Sequence, residues 1–286
     1  MVIWIGLLWG CLPPQFDLTH IDDLQIVAVQ VDPPAMAPGL DVVLTMWVAD
    51  PRRRGADVLL YTCSNVEGDS CIEGQSIDGL DPQPLSSWAA VGALTGNQWS
   101  VNFQLPQDDI GLFDDEFEVL ETLLFALACE PGACEIIDRV AANPPPGTDA
   151  YQTVVDMFAD PDSWIADLPR DTSSLAVKTV GLQKSTSVSN QNPRVTLDGS
   201  PSRLTAAWGD FEPIDMVFNI FDGGNSNFDV RAYSTLGSVP DISPSVASAG
   251  ITWDPGTMVG DGELFVVVGD KGGGIGVGVE RVSVRP

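Results

Sequence analysis

The feature that most constrains this chain is a series of short segments in which apolar residues recur at every second place. Each is closed by a cluster of Gly, Pro, Asn or Asp. LQIVAVQV (24–31) is followed by DPPAMAPG, and LDVVLTMWVAD (40–50) by PRRRGAD. VLLYTC (58–63) and WSVNFQLP (99–106) repeat the theme. A period of two sends alternate side chains to opposite faces of a sheet, so Leu44, Met46 and Val48 share one face. Such strands at this spacing, punctuated by turn residues, predict β-sandwich architecture. The pattern resumes in RLTAAWG (203–209), IDMVFNIFD (214–222), FDVRAYST (228–235), GITWDP (250–255), GELFVVVGD (262–270) and GIGVGVERVSV (274–284). Within it, Val230 and Ala232 face one way and Arg231 and Tyr233 the other. Trp208 and Trp253 are expected as core anchors, and GDKGGG as a hairpin turn.

Residues 107–170 read differently. DDEFEVLETLLFALA (114–128) places Phe117, Leu120, Leu124 and Leu127 near helical spacing, with acids in the first turn. EIIDRVAAN (135–143) and DAYQTVVDMFA (149–159) predict two more helices. Strand character returns in SLAVKTVGLQK (174–184) as the closing strand of the first domain. The 286 residues thus divide into a β-sandwich over 22–187 with a helical insertion at about 107–170, a linker over 188–194, and a second β-sandwich over 195–286.

Residues 2–9 (VIWIGLLW) form an apolar run too short to cross a bilayer, and it stops at Gly10-Cys11. This resembles the signal of bacterial lipoproteins, which are cut before a cysteine that is then acylated. Leu8 and Gly10 fit that pattern. Trp9 departs from it, and no Lys or Arg precedes Cys11. The resemblance implies a signal peptide over 1–10, a lipid on Cys11 and a tether over 11–21. The alternative is a buried N-terminal strand with a core cysteine. With Cys11 acylated, Cys63, Cys71, Cys129 and Cys134 remain, an even number that suits two disulfides in an oxidising compartment. Three connectivities are open. The local pairs Cys63–Cys71 and Cys129–Cys134 close short Gly-containing loops and are favoured.

Thirteen Lys plus Arg against 40 Asp plus Glu give a formal charge of -27, which excludes nucleic acid as a partner. Catalysis finds little to work with. There is one histidine, His20, in the expected tether, and no GxSxG. Acid pairs such as Asp114/Asp115 complement a helix start better than they serve a glycosidase. No enzyme is expected. Asp222, Asn225, Asn227 and Asp229 in FDGGNSNFD could surround calcium with oxygen ligands, and Asp210, Glu212, Asp261 and Asp270 flank neighbouring strands. The same residues also dominate ordinary turns. Arg52, Arg53 and Arg54 form the only basic run: a solvated turn, or a docking point for an acidic partner.

DDLQIVAV (22–29), APGLDVVLTMWVADP (37–51), NQNP (190–193) and the TWDP…LFVVVGDKGG ending (252–273), with the lipoprotein-like cysteine, resemble a family. It is that of the two-domain Ig-like/PKD-like surface lipoproteins of myxobacteria and related predatory or gliding delta-proteobacteria. The resemblance covers most of both β domains and leaves out 107–170. It implies two Ig-like or PKD-like sandwiches and a lipid-anchored place in the cell envelope, at the outer membrane. It carries no biochemical activity. The expected function is a non-catalytic surface binding or structural module meeting an envelope protein or glycan. The alternative is an accessory subunit of an envelope secretion or motility complex.

Overall fold

The computed structural model describes residues 19–37, 39–65, 88–104, 119–142, 168–169, 171–183, 190–199, 204–209, 212–222 and 227–286. Among the described residues the first part holds β1 (Gln25–Asp32), β2 (Asp41–Ala49), β3 (Asp57–Asn65), β4 (Trp88–Ala93), β5 (Gln98–Gln104), β6 (Val119–Cys129) and β7 (Ser173–Gln183). They pair antiparallel in two sheets, ordered β1-β2-β5 and β4-β3-β6-β7. Val31, Leu44, Met46 and Val48 of the first sheet meet Val58, Leu60, Leu124 and Val180 of the second in one core. Each such side chain contributes roughly 1.5–3 kcal/mol by leaving water. The alternation read from LDVVLTMWVAD therefore faces the core as expected.

The second part holds β8 (Arg194–Leu197), β9 (Leu204–Ala207), β10 (Ile214–Phe221), β11 (Asp229–Ser234), β12 (Ser238–Pro244), β13 (Ser248–Asp254), β14 (Gly260–Gly269) and β15 (Ile275–Arg285). Its sheets run β12-β13-β10-β8 and β11-β14-β15-β9, with β9 parallel to β15 and the other pairs antiparallel. Phe218, Trp253, Leu264, Val266 and Val282 fill a second, separate core. Trp253 Nε1 donates to Leu236 O at 2.7 Å, so its one polar atom is satisfied inside. The glycines of GIGVG have a packing reason. A Cβ at Gly276 would lie 2.0 Å from Pro193 O, where the chain entering β8 presses on β15.

Three expectations change. Residues 119–129, read within a helix, are the inner strand β6. Leu124, Ala126 and Ala128 enter the first core, while Phe125, Leu127 and Cys129 enter a satellite core with Leu59, Tyr61, Ile136 and Ile137. A strand covered on both faces shows a continuous apolar run, which periodicity cannot separate from a helix, and sheet pairing overrides its Leu- and Ala-rich propensity. Trp208 is not a core anchor but 60% exposed. It stands just past β9, whose inward residue is Ala206. Thr19, His20 and Ile21 are not free tether but are docked on the second sandwich.

The helix expected at 135–143 is α1 (Glu135–Ala141), which buries Ile136 and Ile137. Cys129 and Cys134 form the expected disulfide and tie α1 to β6. Cys63 lies in β3, while Cys71, Cys11, Phe117 and residues 149–159 lie outside the described residues. Trp253→Ala should cost about 3–5 kcal/mol, from lost burial, the cavity left and the lost bond to the Leu236 carbonyl, which keeps only the Ser234 hydroxyl. Urea unfolding followed by circular dichroism measures it.

Candidate functional site

The described residues bring their polar linker, N-terminal strap and two clefts together at the junction of the sandwiches. β1 carries a bulge between Ile26 and Ala28. The extra residue, Val27, packs instead in a junction cluster with Ile21, Ala49 and Phe265, joined by Tyr233, Val277 and Val279. Phe265 alternates with the inward Leu264 and Val266, so this cluster lies on the outer face of the β11-β14-β15-β9 sheet. Ile21 and Phe265 are 2% and 0% exposed, as buried as core residues.

The strap approaches along the edge of β11. Ser234 N donates to Thr19 O (2.7 Å), and Ile21 N to Ser234 O (2.9 Å). Val239 N donates to Thr19 Oγ1 at 3.0 Å. His20 Nδ1 donates to Gly237 O at 2.6 Å, and Nε2 faces Asp22 Oδ1 at 2.8 Å. Both ring nitrogens face acceptors, so both bonds form together only when each carries a proton.

The NQNP segment, expected to be a polar linker, bonds to both sandwiches. Asn192 Nδ2 donates to Val31 O of β1 at 2.8 Å, and its Oδ1 accepts from Ile275 N of β15 at 2.9 Å. Asn190 Nδ2 reaches the Asp270 carboxylate at 3.1 and 3.3 Å, and Gly274 N donates to Asp270 Oδ1 at 2.8 Å. Asp270, one of the acids set beside the calcium cluster, is thus the clasp of the β14–β15 hairpin. Lys178 Nζ, from β7, donates to Gly273 O of that hairpin at 3.2 Å.

Two clefts flank this junction. A groove of about 550 Å³ is lined by Gln30, Asp32, Asn190, Gln191, Asn192 and Arg194 among others. Its amides, the Asp32 carboxylate and the Arg194 guanidinium offer hydrogen-bond donors and acceptors. A smaller cleft of about 290 Å³ sets Arg53 against Glu263 and Arg281. The Arg run is therefore no uniform solvated turn. Arg54 forks onto both carboxylate oxygens of Glu130 at 2.9 and 3.1 Å, Arg52 pairs with Asp23, and Arg53, at φ +52°, lines the cleft.

The expected calcium ligands are scattered in role. Asp222 follows β10, Asn227 is exposed, and Asp229 is held by Arg231 at 3.0 Å, so a cation there would have to displace a guanidinium. Asn225 and Asp210 lie outside the described residues. Asp261 is paired with Arg285 at 2.6 Å, and Glu212 stands just ahead of β10. Among the described residues no group of three or more His, Cys, Asp or Glu side chains is placed to hold a metal. Sequence reading missed Asn192, Ile21 and Phe265. The only available signal was an Asn-rich linker ending in Pro, which is also what a solvated linker looks like.

Burial lowers the Lys178 ammonium from its ordinary 10.5 to about 8, although nearby Asp270 pulls it the other way. Between about pH 8 and the unfolded value of 10.5 the unfolded chain binds the extra proton, so stability rises with pH across that window. Below it the charged lysine costs up to about 3 kcal/mol, less what residual water recovers. Lys178→Met should raise stability at pH 7 and flatten the rise towards pH 10, as read from urea midpoints at the two values. Separately, Phe265→Ala should split one unfolding transition into two, since it empties the junction and spares both cores; scanning calorimetry reads this.

No protein-family model matches the chain, and no curated protein matches it. Similar solved structures include the fibronectin(III)-like modules of Clostridium thermocellum CbhA, at 13% identity and TM-score 0.25, covering 90% of this chain and 94% of that one. The N-terminal Ig1-2 module of the Drosophila receptor protein tyrosine phosphatase DLAR is 8% identical with TM-score 0.28, covering 92% and 100%. Invasin, a bacterial integrin-binding protein, is 12% identical with TM-score 0.26, covering 90% of this chain and 38% of its own. The chain is of the mainly β, sandwich class, as its own strand pairing and cores establish.

Proposed function

We propose that this chain is a non-catalytic module of the bacterial cell envelope, anchored at the outer membrane by a lipid on Cys11, that presents its inter-sandwich junction to an envelope protein or glycan. The observation that supports this best is the pair of hydrogen bonds made by the Asn192 amide, which ties β1 to β15 beside the Ile21–Phe265 cluster. A junction buried and hydrogen-bonded in this way holds the grooves beside it in constant shape, and a recognition surface needs that rigidity. The amide-lined groove offers donors and acceptors suited to sugar hydroxyls or peptide backbone.

Intact mass of the protein extracted from native membranes tests the anchor. Loss of residues 1–10 with a gain of acyl chains is expected, and reduction should add about four hydrogens if Cys63–Cys71 accompanies Cys129–Cys134. An unprocessed, unacylated chain would remove the envelope anchor from this reading. Crosslinking in intact cells tests the surface. Gln191→Ala with Arg194→Ala, both exposed at the groove, should weaken capture of the partner or glycan without lowering the melting temperature. A partner that survives detergent extraction and ignores these substitutions would point to a permanent subunit of an envelope machine instead.

A further inference from the structure

Exposed large apolar residues stand at both ends of the second sandwich, Phe221 and Val246 at one and Trp208, Met258 and Val259 at the other. Trp208, Met258 and Val259 are 60%, 66% and 49% exposed. Strand register brings them to one end of the sandwich. Ala207 pairs with Arg285 and Gly260 with Val284, so Trp208 and Val259 extend β9 and β14 on either side of the β15 terminus. Thr19 meets Ser234 and Val239 beside the β11–β12 turn at this same end, where Leu236 packs on Gly262.

We propose that this end rests on the lipid bilayer, with Trp208, Met258 and Val259 as a second anchoring contact beside the lipid. The inference rests on acylation of Cys11. Seven residues separate Cys11 from Thr19, and the eight steps along the chain give a reach of roughly 28 Å at full extension. From β11 to β9 is three strand spacings, roughly 14 Å, so the whole end lies within reach of an anchored lipid. Tryptophan favours the membrane interface, where its ring is buried and its N–H stays wet. A lipid and a few apolar side chains act as two signals, each weak alone. Glu212, Asp254 and Asp261 surround the tip, and the chain carries -27 overall, so the surface it suits is zwitterionic rather than anionic.

The test uses the full chain, extracted from membranes and reconstituted on vesicles of phosphatidylcholine brominated near the headgroup. Bromine should quench part of the tryptophan emission, and Trp208→Phe should remove most of that quenching. Met258→Ser with Val259→Ser should weaken it. Phe221→Ser with Val246→Ser, exposed at the opposite end of the sandwich, should leave it unchanged. Unquenched emission from a chain whose mass shows acylated Cys11 overturns the contact and leaves the anchor standing, whereas an unacylated mass overturns both. Unquenched emission with a dimer that Met258→Ser and Val259→Ser dissociate in sedimentation would assign the tip to a second copy and likewise overturn the bilayer contact.

Discussion

Ile21 packs on Phe265, and Asn192 bonds both Val31 and Ile275; much of the molecule's arrangement follows from this small junction. Each sandwich closes a core of its own, so neither needs the other for burial of its interior. What the junction adds is relative position. An apolar cluster alone would tolerate sliding, because burial is indifferent to direction. The two hydrogen bonds of a single amide remove that freedom, since a shift of either strand leaves a partly buried backbone group without its partner. Apolar contact supplies adhesion and the amide supplies register.

The same junction accepts a cost. Lys178 is held against Gly273 where burial disfavours its charge, which Asp270 offsets in part. Asp270 is itself engaged by Asn190 and Gly274. A lysine, a carboxylate and two backbone groups therefore share one corner, at which the hairpin of one sandwich meets the last strand of the other. Buried polar groups of this kind stabilise little by themselves but penalise misplacement heavily.

Most of the strands were legible, because one buried face leaves an alternation, as Leu44, Met46 and Val48 do in β2. β6 was misread for the opposite reason. Its two faces are both covered, so Leu124 to Cys129 show no alternation, and the Leu- and Ala-rich composition then argues for a helix. β12 did not stand out, since Pro240 and Pro244 lie in or beside its ladder and proline donates no ladder bond; it stands at a sheet edge. The junction could not be read at all. Phe265 looks like one more residue of a continuous apolar strand, and Asn192 like linker; Asn192 bonds Val31, 161 residues before it, and Ile275, 83 after it, while Ile21 and Phe265 lie far apart in the sequence.

The bulge in β1 has a consequence for how this strand can vary. A regular strand offers two faces, and β1 already assigns one to the first core through Ile26, Val29 and Val31. The extra residue allows Val27 to be spent on the neighbouring sandwich without moving the rest out of step. β1 is therefore copied against two templates at once, the ladder of β2 and the outer surface of β14 and β15. Deleting any one residue between Ile21 and Val31 would satisfy one template only by breaking the other, so substitutions are open to this strand where changes of length are closed.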